Sequence, residues 1–332
     1  MDIHSKIIVC TTLDADGKVV RKDSFKNSFA ALEEYVSQFH EGDTFVMEST
    51  GFYEPLYDFI ESHGFHVKLA NPLKIKLIAE SRMKNDDVDS EVLAKLLKND
   101  WIPESYVPPS DIREMRRIVR TRIQLKRDLT RMKNRIHFEL LRMHVDYEVN
   151  IFTWKGRVFL RNLNNNRILS YLAVMESLGA EIRKVDSLME RYASIPGVIN
   201  LQTIPGLGLF SALVIYSEIG DIQRFSDSGK LISYAGMVPS VRQSSDIIHH
   251  GRITYQGSRY LRWIMVEALH SHMINDPGST ITSFYKHLAK KKGKSKAIIA
   301  ASNKLLKAIY WILKDQRPYY SKNKSQQRGL AL

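Results

Sequence analysis

Between Arg113 and His144, apolar residues return at spacings of three, four and seven: Ile118, Leu125, Leu129, Met132, Ile136 and Leu140. That period predicts one long amphipathic or coiled-coil helix, and a helix of this length divides the chain into an N-terminal and a C-terminal part. Trp101 to Pro109, with Pro103, Pro108 and Pro109, reads as the linker before it, and Ser110 is placed to cap it. A second helical period runs from about Asn164 to Tyr192 through Leu172, Met175, Leu178, Ile182, Val185 and Leu188. The pair is expected to form an antiparallel hairpin or to dimerise with another subunit. The polar faces of the first helix carry Arg113, Arg116, Arg117, Arg120, Arg122, Lys126, Arg127, Arg131, Lys133 and Arg135 against few acids. A charged face is ordinarily just solvated. Here nearly all of the charge has one sign, which costs self-repulsion and favours a track for phosphates.

The first third alternates strand and helix. Ile7 to Leu13 is β-branched and apolar, and Asp14-Ala15-Asp16-Gly17 turns it into Lys18-Val19-Val20. Helical spacing returns over Phe29–His40 and from about Phe52 to Ser62, with strands at Thr44–Met47 and Phe65–Ala70. After Asp86, Val88, Val92, Leu93, Leu96 and Leu97 again have helical spacing. This order predicts a three-layer α/β domain.

Charge is divided unevenly. The net charge is +13, but residues 1–105 hold 12 Lys+Arg and 19 Asp+Glu, leaving the remainder strongly basic. An acidic domain joined to a basic body suggests a metal-dependent site attached to a nucleic-acid-binding surface. A single cysteine, Cys10, excludes a disulfide framework or a cysteine-based zinc site within the chain and fits a reducing cytoplasm. No secretory signal is read at the N-terminus. The most apolar late segment, Ala297–Leu313, is interrupted by Asn303, Lys304 and Lys307, so no membrane span is expected.

The acids concentrate in Lys84-Asn85-Asp86-Asp87-Val88-Asp89. On a helix Asp86 and Asp89 share a face at i, i+3. They are either N-terminal caps, for which Asp is well suited, or ligands for a hard divalent cation. Glu48 lies at the C-terminal end of a strand, where α/β sheets form ligand sites, and Asp2 lies just before the first strand. Asp2, Glu48, Asp86 and Asp89 together could hold two Mg²⁺ ions against a phosphodiester.

Ile204-Pro205-Gly206-Leu207-Gly208 precedes an apolar helix, Leu209–Ile219, that ends at Gly220. It is either an ordinary tight turn or a helix-hairpin-helix, in which Gly206 and Gly208 let backbone N–H groups face a DNA phosphate without reading sequence. Next comes a polar loop with Ser244 and Ser245, flanked by Arg242, His249, His250, Arg252, Arg259 and Arg262. A serine pair in a loop is usually a turn feature. An activated serine beside arginines can also attack phosphorus. Lys290, Lys291 and Lys292 open a basic spacer between a helix at Ile281–Ala289 and a last helix ending near Leu313, and residues beyond Pro318 read as a disordered tail.

In this order the features resemble the DEDD transposases of bacterial insertion sequences, a family that includes Piv-type DNA invertases and bridge-RNA-guided recombinases. The resemblance rests on Asp2-Ile3-His4-Ser5-Lys6, Met47-Glu48-Ser49-Thr50-Gly51, the K-x-D-x-x-D element at Lys84–Asp89, Ile204–Gly208 and Tyr234-Ala235-Gly236-Met237-Val238-Pro239. It covers nearly the whole chain. It implies a RuvC-like first domain of the RNase H superfamily, Mg²⁺ on the four acids, and a covalent phosphoserine link to DNA. The family's serine lies five residues after the proline, which is Ser244, with Ser245 beside it. It also implies a noncoding guide RNA, so that base pairing reads sequence while the protein reads shape and backbone. A tetramer is implied as well, in which the acidic domain of one subunit meets the serine domain of another.

The resulting expectation is a RuvC-like α/β catalytic domain over 1–105, a basic helical coiled-coil region over 106–195, and a mainly α transposase domain with a helix-hairpin-helix and the serine loop over 196–318. Residues 319–332 form the tail. The expected activity is a Mg²⁺-dependent DNA recombinase acting in the bacterial cytoplasm at the nucleoid. The alternatives are a RuvC-like nuclease or Holliday-junction resolvase, and an inactive nucleic-acid-binding remnant.

Overall fold

The computed structural model describes residues 1–78, 86–148, 150–244 and 247–320. The chain divides after Val107 into two compact units.

The first unit, Met1–Val107, opens with β1 (Asp2–Ile3), β2 (Ile7–Leu13) and β3 (Val19–Lys26), an antiparallel meander in which Asp2 faces Val9 and Ile3 faces Ile8. Asp14 shapes the turn after β2 by accepting the N–H groups of Asp16 and Lys18 at 3.0 and 2.9 Å. Then come α1 (Phe29–Val36), β4 (Thr44–Glu48), α2 (Tyr53–Ser62) and β5 (His66–Ala70), with β4 and β5 parallel, as a strand–helix–strand crossover requires. The Met1 α-amino group donates to the Val46 carbonyl at 2.8 Å, which sets the start of β1 beside β4. Two further helices complete the unit, α3 (Pro72–Ile78) and α4 (Asp86–Lys98).

Side chains alternate across these strands. Met1, Ile3, Ile8, Cys10, Phe45, Met47, Val67 and Leu69 face one core with Leu32, Tyr35 and Val36 of α1 and Leu56 and Ile60 of α2. Val46 and Ala70 face the other way, onto Leu93 and Leu96 of α4 and Ile102. Helices therefore cover both faces of the strands, the three-layer α/β arrangement expected from the alternating pattern.

The second unit begins at Pro108 with α5 (Ser110–Arg142), whose N-cap is Pro109 rather than Ser110. After α6 (Trp154–Asn162) comes α7 (Asn166–Met189), capped by the Asn165 side chain. Arg122 of α5 pairs with Asp186 of α7, and Glu139 of α5 pairs with Arg167, so the two helices run antiparallel. The far end of this hairpin has its own core, Ile136, Leu140, Ile151, Leu160, Ile168, Leu172 and Met175. The near end does not stand apart. Ile112, Met115, Val119, Ile123 and Met189 join the core of the C-terminal helices. Residues 106–195 are thus continuous in packing with the C-terminal region.

That core is built on α8 (Pro196–Gln202), α9 (Leu209–Ile219), α10 (Ser228–Tyr234), α11 (Arg259–Asn275), α12 (Thr280–Lys292) and α13 (Lys294–Lys314). In α9, Leu213, Val214, Ile215 and Ile219 are all fully buried, each worth about 1.5–3 kcal/mol in removed apolar surface. The expected basic spacer is helical: Lys290–Lys292 form the last turn of α12, where cations suit the dipole, and Gly293 at φ +82° breaks it from α13. Tyr319 is also held, its N–H donating to the Thr203 hydroxyl at 2.7 Å. Residues 321–332 lie outside the described residues.

The expected polar serine loop is a β-hairpin, β6 (Pro239–Ser244) and β7 (Ile247–Ile253), with Arg242 opposite His249 and Ser244 opposite Ile247. Its physical reason is β-branching at Val241, Ile247, Ile248 and Ile253. The hairpin's neck is tight. Ser258 N–H donates to the Tyr234 carbonyl at 3.0 Å, and a Cβ on Gly257, at φ +107°, would meet that carbonyl oxygen at 2.0 Å. Gly257→Ala is accordingly expected to cost about 1–3 kcal/mol in backbone strain alone, read as a lower urea midpoint with an unchanged slope.

Candidate active site and nucleic-acid interface

Alternation fixes where the acids stand in the first unit. Asp2 sits between Met1 and Ile3, and Glu48 comes directly after Met47, so both belong to the face opposite the α1/α2 core. That is the face covered by α4. Asp89 precedes Leu93 by four residues, on the same stripe of α4. The Ser90 hydroxyl, 2.8 Å from the Thr11 hydroxyl, ties this turn of α4 to β2. Asp2 is buried at 6% exposure, and its Oδ2 lies 3.1 Å from His4 Nε2. Asp86 begins α4, but its side chain lies outside the described residues, as do residues 79–85.

All four donors are carboxylates, the chemistry a hard cation such as Mg²⁺ selects, and they lie on one side of the strands or at the start of α4. Among the described residues no three acids or histidines stand close enough to hold one ion. The donor set fits the metal in kind.

Glu91, one turn into α4, anchors that helix. Lys22 of β3 and Lys95 each approach it at 2.7 Å. Their hydrogen bonds hold its carboxyl down at about 2. A carboxyl depressed on folding stabilises the fold above its ordinary value of 4.5 and loses that contribution as pH falls toward 2. Because the pair is partly exposed, the contribution is at most about 1 kcal/mol. Carbon-detected NMR titration is expected to show Glu91 titrating near pH 2, and Lys22→Ala is expected to move it upward. Burial pushes the Cys10 thiol up to about 11, so it stays protonated at neutral pH.

In the second unit Ser244 ends β6, while residues 245 and 246 and the side chains of 241–250, those of Arg242 and Ser244 included, lie outside the described residues. The base of this hairpin is described. Arg262 Nη1 donates to the Ala235 carbonyl at 3.0 Å, and Thr254 N–H to the Val238 carbonyl at 3.0 Å. Behind the neck stands Glu218, 1% exposed. Arg120 grips both of its carboxylate oxygens, at 2.8 and 3.0 Å, and the Ser258 hydroxyl donates to it at 2.7 Å. The Glu218 carbonyl accepts from the Tyr234 hydroxyl at 3.1 Å and from Arg116 Nη2 at 2.9 Å. One buried acid therefore joins α5 to both ends of the hairpin segment.

The arginines of α5 thus divide. Arg113 is buried, and Arg116 and Arg120 are engaged with Ser217 and Glu218 inside the unit. Arg117, Lys126, Arg127 and Arg131 are exposed, with Arg117 bonded to Glu114 and Arg131 to Asp128. Arg252, Arg259, Lys290, Lys291 and Lys292 are exposed as well. Arg259 lies 5.1 Å over the Tyr260 ring, which Arg120 approaches from 4.7 Å.

The tight turn before α9 is seated on α11. Ser271 donates to the Gly206 carbonyl at 2.7 Å, and His272 Nδ1 lies 3.0 Å from the Pro205 carbonyl. Gly206, at φ +90°, has no room for a Cβ, which would meet the Ser271 backbone at 2.7 Å. Gly208 caps α9 and faces open space. Sequence reasoning missed Glu218, Ser258 and Tyr234. Glu218 had a signal, as the one charged residue in the apolar run Leu209–Ile219.

Residues 1–145 match the family model DEDD_Tnp_IS110, described as a transposase, and residues 199–286 match a model for transposases of the IS116/IS110/IS902 family. The pilin gene-inverting protein of Moraxella lacunata is 30% identical over 286 residues, covering 82% of this chain and 81% of that protein. The transposase for insertion sequence element IS1111A of Coxiella burnetii is 24% identical over 340 residues, covering 96% and 90%. The transposase for IS1533 of Leptospira borgpetersenii is 24% identical over 328 residues, covering 92% of each.

Proposed function

Since the chain belongs to the IS116/IS110/IS902 family of transposases, we propose that it recombines DNA through a serine nucleophile in the second unit and a carboxylate set in the first. What supports the reading is the match to transposase family models, together with Asp2 and Glu48 on the α4 face of the strands in the first unit and Ser244 at the end of β6 in the second. A RuvC-like reading of the first unit is supported by its strands with helices on both faces. Asp2, Glu48, Asp86 and Asp89 would hold Mg²⁺, and a bound divalent ion supplies neutralising charge to a phosphodiester.

The Ser244 oxygen attacks phosphorus. The Oγ–P bond forms, the bond to a deoxyribose oxygen breaks, the serine proton leaves and the departing oxygen takes one up. Attack of a second strand's hydroxyl on the phosphoserine reverses the step and rejoins DNA. Arg242, Arg252, Arg259 and Arg262 are the cations nearest the hairpin in sequence and would offset phosphate charge. The exposed Arg117, Lys126, Arg127 and Arg131 of α5 and Lys290–Lys292 of α12 would track nucleic-acid backbone. In a helix-hairpin-helix reading, α8, the Gly206–Gly208 turn and α9 would meet a phosphate through main-chain N–H groups. A noncoding guide RNA is consistent with that basic surface, and a homodimer or tetramer would bring acid and serine units of different subunits together. A relative named for inverting a pilin gene supports rejoining rather than simple cutting.

The test is recombination between element ends and target in vitro, with the native flanking DNA transcribed alongside. Rejoined product is expected with Mg²⁺ and not with a chelator, and Asp89→Asn is expected to lower it about 100-fold or more. Cut but never rejoined strands would point instead to a nuclease. Among the described residues no helix is long and apolar enough to cross a membrane.

A further inference from the structure

A cavity of about 420 Å³ opens between α5, α9 and α11. Arg122, Lys126, Arg127, Phe210 and Trp263 line it. From it we infer that the second unit holds one unstacked nucleobase of a single-stranded segment in this pocket. The inference rests on the reading that the chain handles nucleic acid.

The floor is aromatic and its geometry is fixed. The Arg122 guanidinium lies 4.1 Å over the Phe210 ring, and its Nε is bonded to Asp186 of α7. A guanidinium held in this way between an acid and a ring presents its other face as a flat, cationic platform, the kind of surface on which bases stack. Trp263 meets Phe210 at 6.5 Å between ring centres with the planes inclined by 61°, so the indole is not stacked on the phenyl ring. Among the described residues Phe210 is the ring partner of Trp263, which leaves indole surface to the cavity.

The rim is cationic. Lys126 and Arg127 are exposed on α5, and among the described residues no acid pairs with Lys126. Flat π surface below and unneutralised cations above match a base with its phosphate. They match a paired duplex poorly, because bases inside a stack offer no free face. A wholly apolar ligand would leave the rim charges unused, and a free phosphate would not need the rings. The cavity volume also lies in the range of small-ligand sites. Phe210 is the second residue of α9, so the pocket adjoins the Gly206–Gly208 turn, and a strand on that turn could place its next base here.

The full chain is titrated with fluorescein-labelled oligothymidylate, with oligouridylate, and with a perfect DNA duplex, each of about 12 nucleotides, by fluorescence anisotropy at one fixed salt concentration. Phe210→Ala and Trp263→Ala are each expected to weaken single-strand binding about tenfold and leave duplex binding unchanged. Trp263→Phe is expected to restore most of the loss, which separates a lost ring from a damaged fold, and thermal melts of each variant check the fold directly. Lys126→Ala is expected to weaken strand and duplex alike, as a phosphate contact does. The oligothymidylate and oligouridylate arms say whether the base comes from DNA or RNA. Equal losses on strand and duplex, or no loss on either, would overturn the pocket while leaving recombination standing. A wild-type chain that binds none of the three would overturn both.

Discussion

Glu218→Ala is expected to cost about 3–5 kcal/mol of folding stability. The carboxylate is 1% exposed and carries a bidentate Arg120 and the Ser258 hydroxyl. Removing it strands a partly buried guanidinium and unpins the hairpin neck in one step. The position is also unfavourable for an acid by itself, being next to the last residue of α9, where the helix dipole repels negative charge. Only its partners make it tolerable. The same physics supplies two controls. Glu218→Gln keeps the shape and a bond to Ser258 and is expected to lose less than Glu218→Ala. Glu218→Leu combined with Arg120→Leu is expected to be less destabilised than either single change, because a buried pair replaced by packed apolar groups leaves no stranded charge. Urea unfolding reads every one of these variants, and additive losses would show that the two residues do not form one unit.

Ser244→Ala is expected to abolish strand exchange, by about 10⁴-fold or more, while leaving DNA binding and stability intact. Ser244 ends β6, beyond the clamped neck, and the change to alanine removes one oxygen atom and leaves the backbone unaltered. A stable, DNA-binding, inactive variant is the signature of a lost nucleophile. By contrast, Glu218→Gln should lower both stability and exchange, since it acts through the neck and not through the reacting atoms. Ser244→Cys is a useful companion, because a thiol in place of the hydroxyl tests the attacking atom with little change in volume.

Much of the architecture was legible from residue periodicity. The β2–β3 hairpin, the β4–α2–β5 crossover, α5, α7 and α9 follow from residue pattern, but β1 does not: the sequence reading sets Asp2 before the first strand, and a two-residue strand is too short to show a period. Three further kinds of feature were not legible. Short helices such as α3 and α6 leave too few turns for a period to emerge. The β6–β7 hairpin was hidden by its polar residues, since Ser, Arg and His at alternate positions resemble a loop until pairing is known. The fate of the α5 arginines was the third. A period tells which residues share a face, but α5 packs against both α7 and α9, so two faces are covered. Arg116 and Arg120 therefore end on the C-terminal turn of α9, about 100 residues away in sequence. No local pattern announces a contact of that separation. The site was legible unevenly for the same reason. Asp2 and Glu48 share a face by strand parity, which is a local rule, whereas the approach of Asp89 on α4 to them depends on how α4 packs and is not set by its own helical spacing. Glu218, which depends on partners from α5, α10 and the start of α11, was not legible.

The most direct measurement of the serine mechanism is recovery of the covalent intermediate. Full-length protein is incubated with Mg²⁺ and end-labelled element DNA, denatured, digested with protease, and the DNA-linked peptide is sequenced by mass spectrometry. The account predicts a denaturation-resistant adduct whose phosphate is carried by Ser244, present in the wild type and absent in Ser244→Ala. Cleaved DNA with no adduct, or an adduct mapped to a residue outside the β6–β7 hairpin, would contradict it.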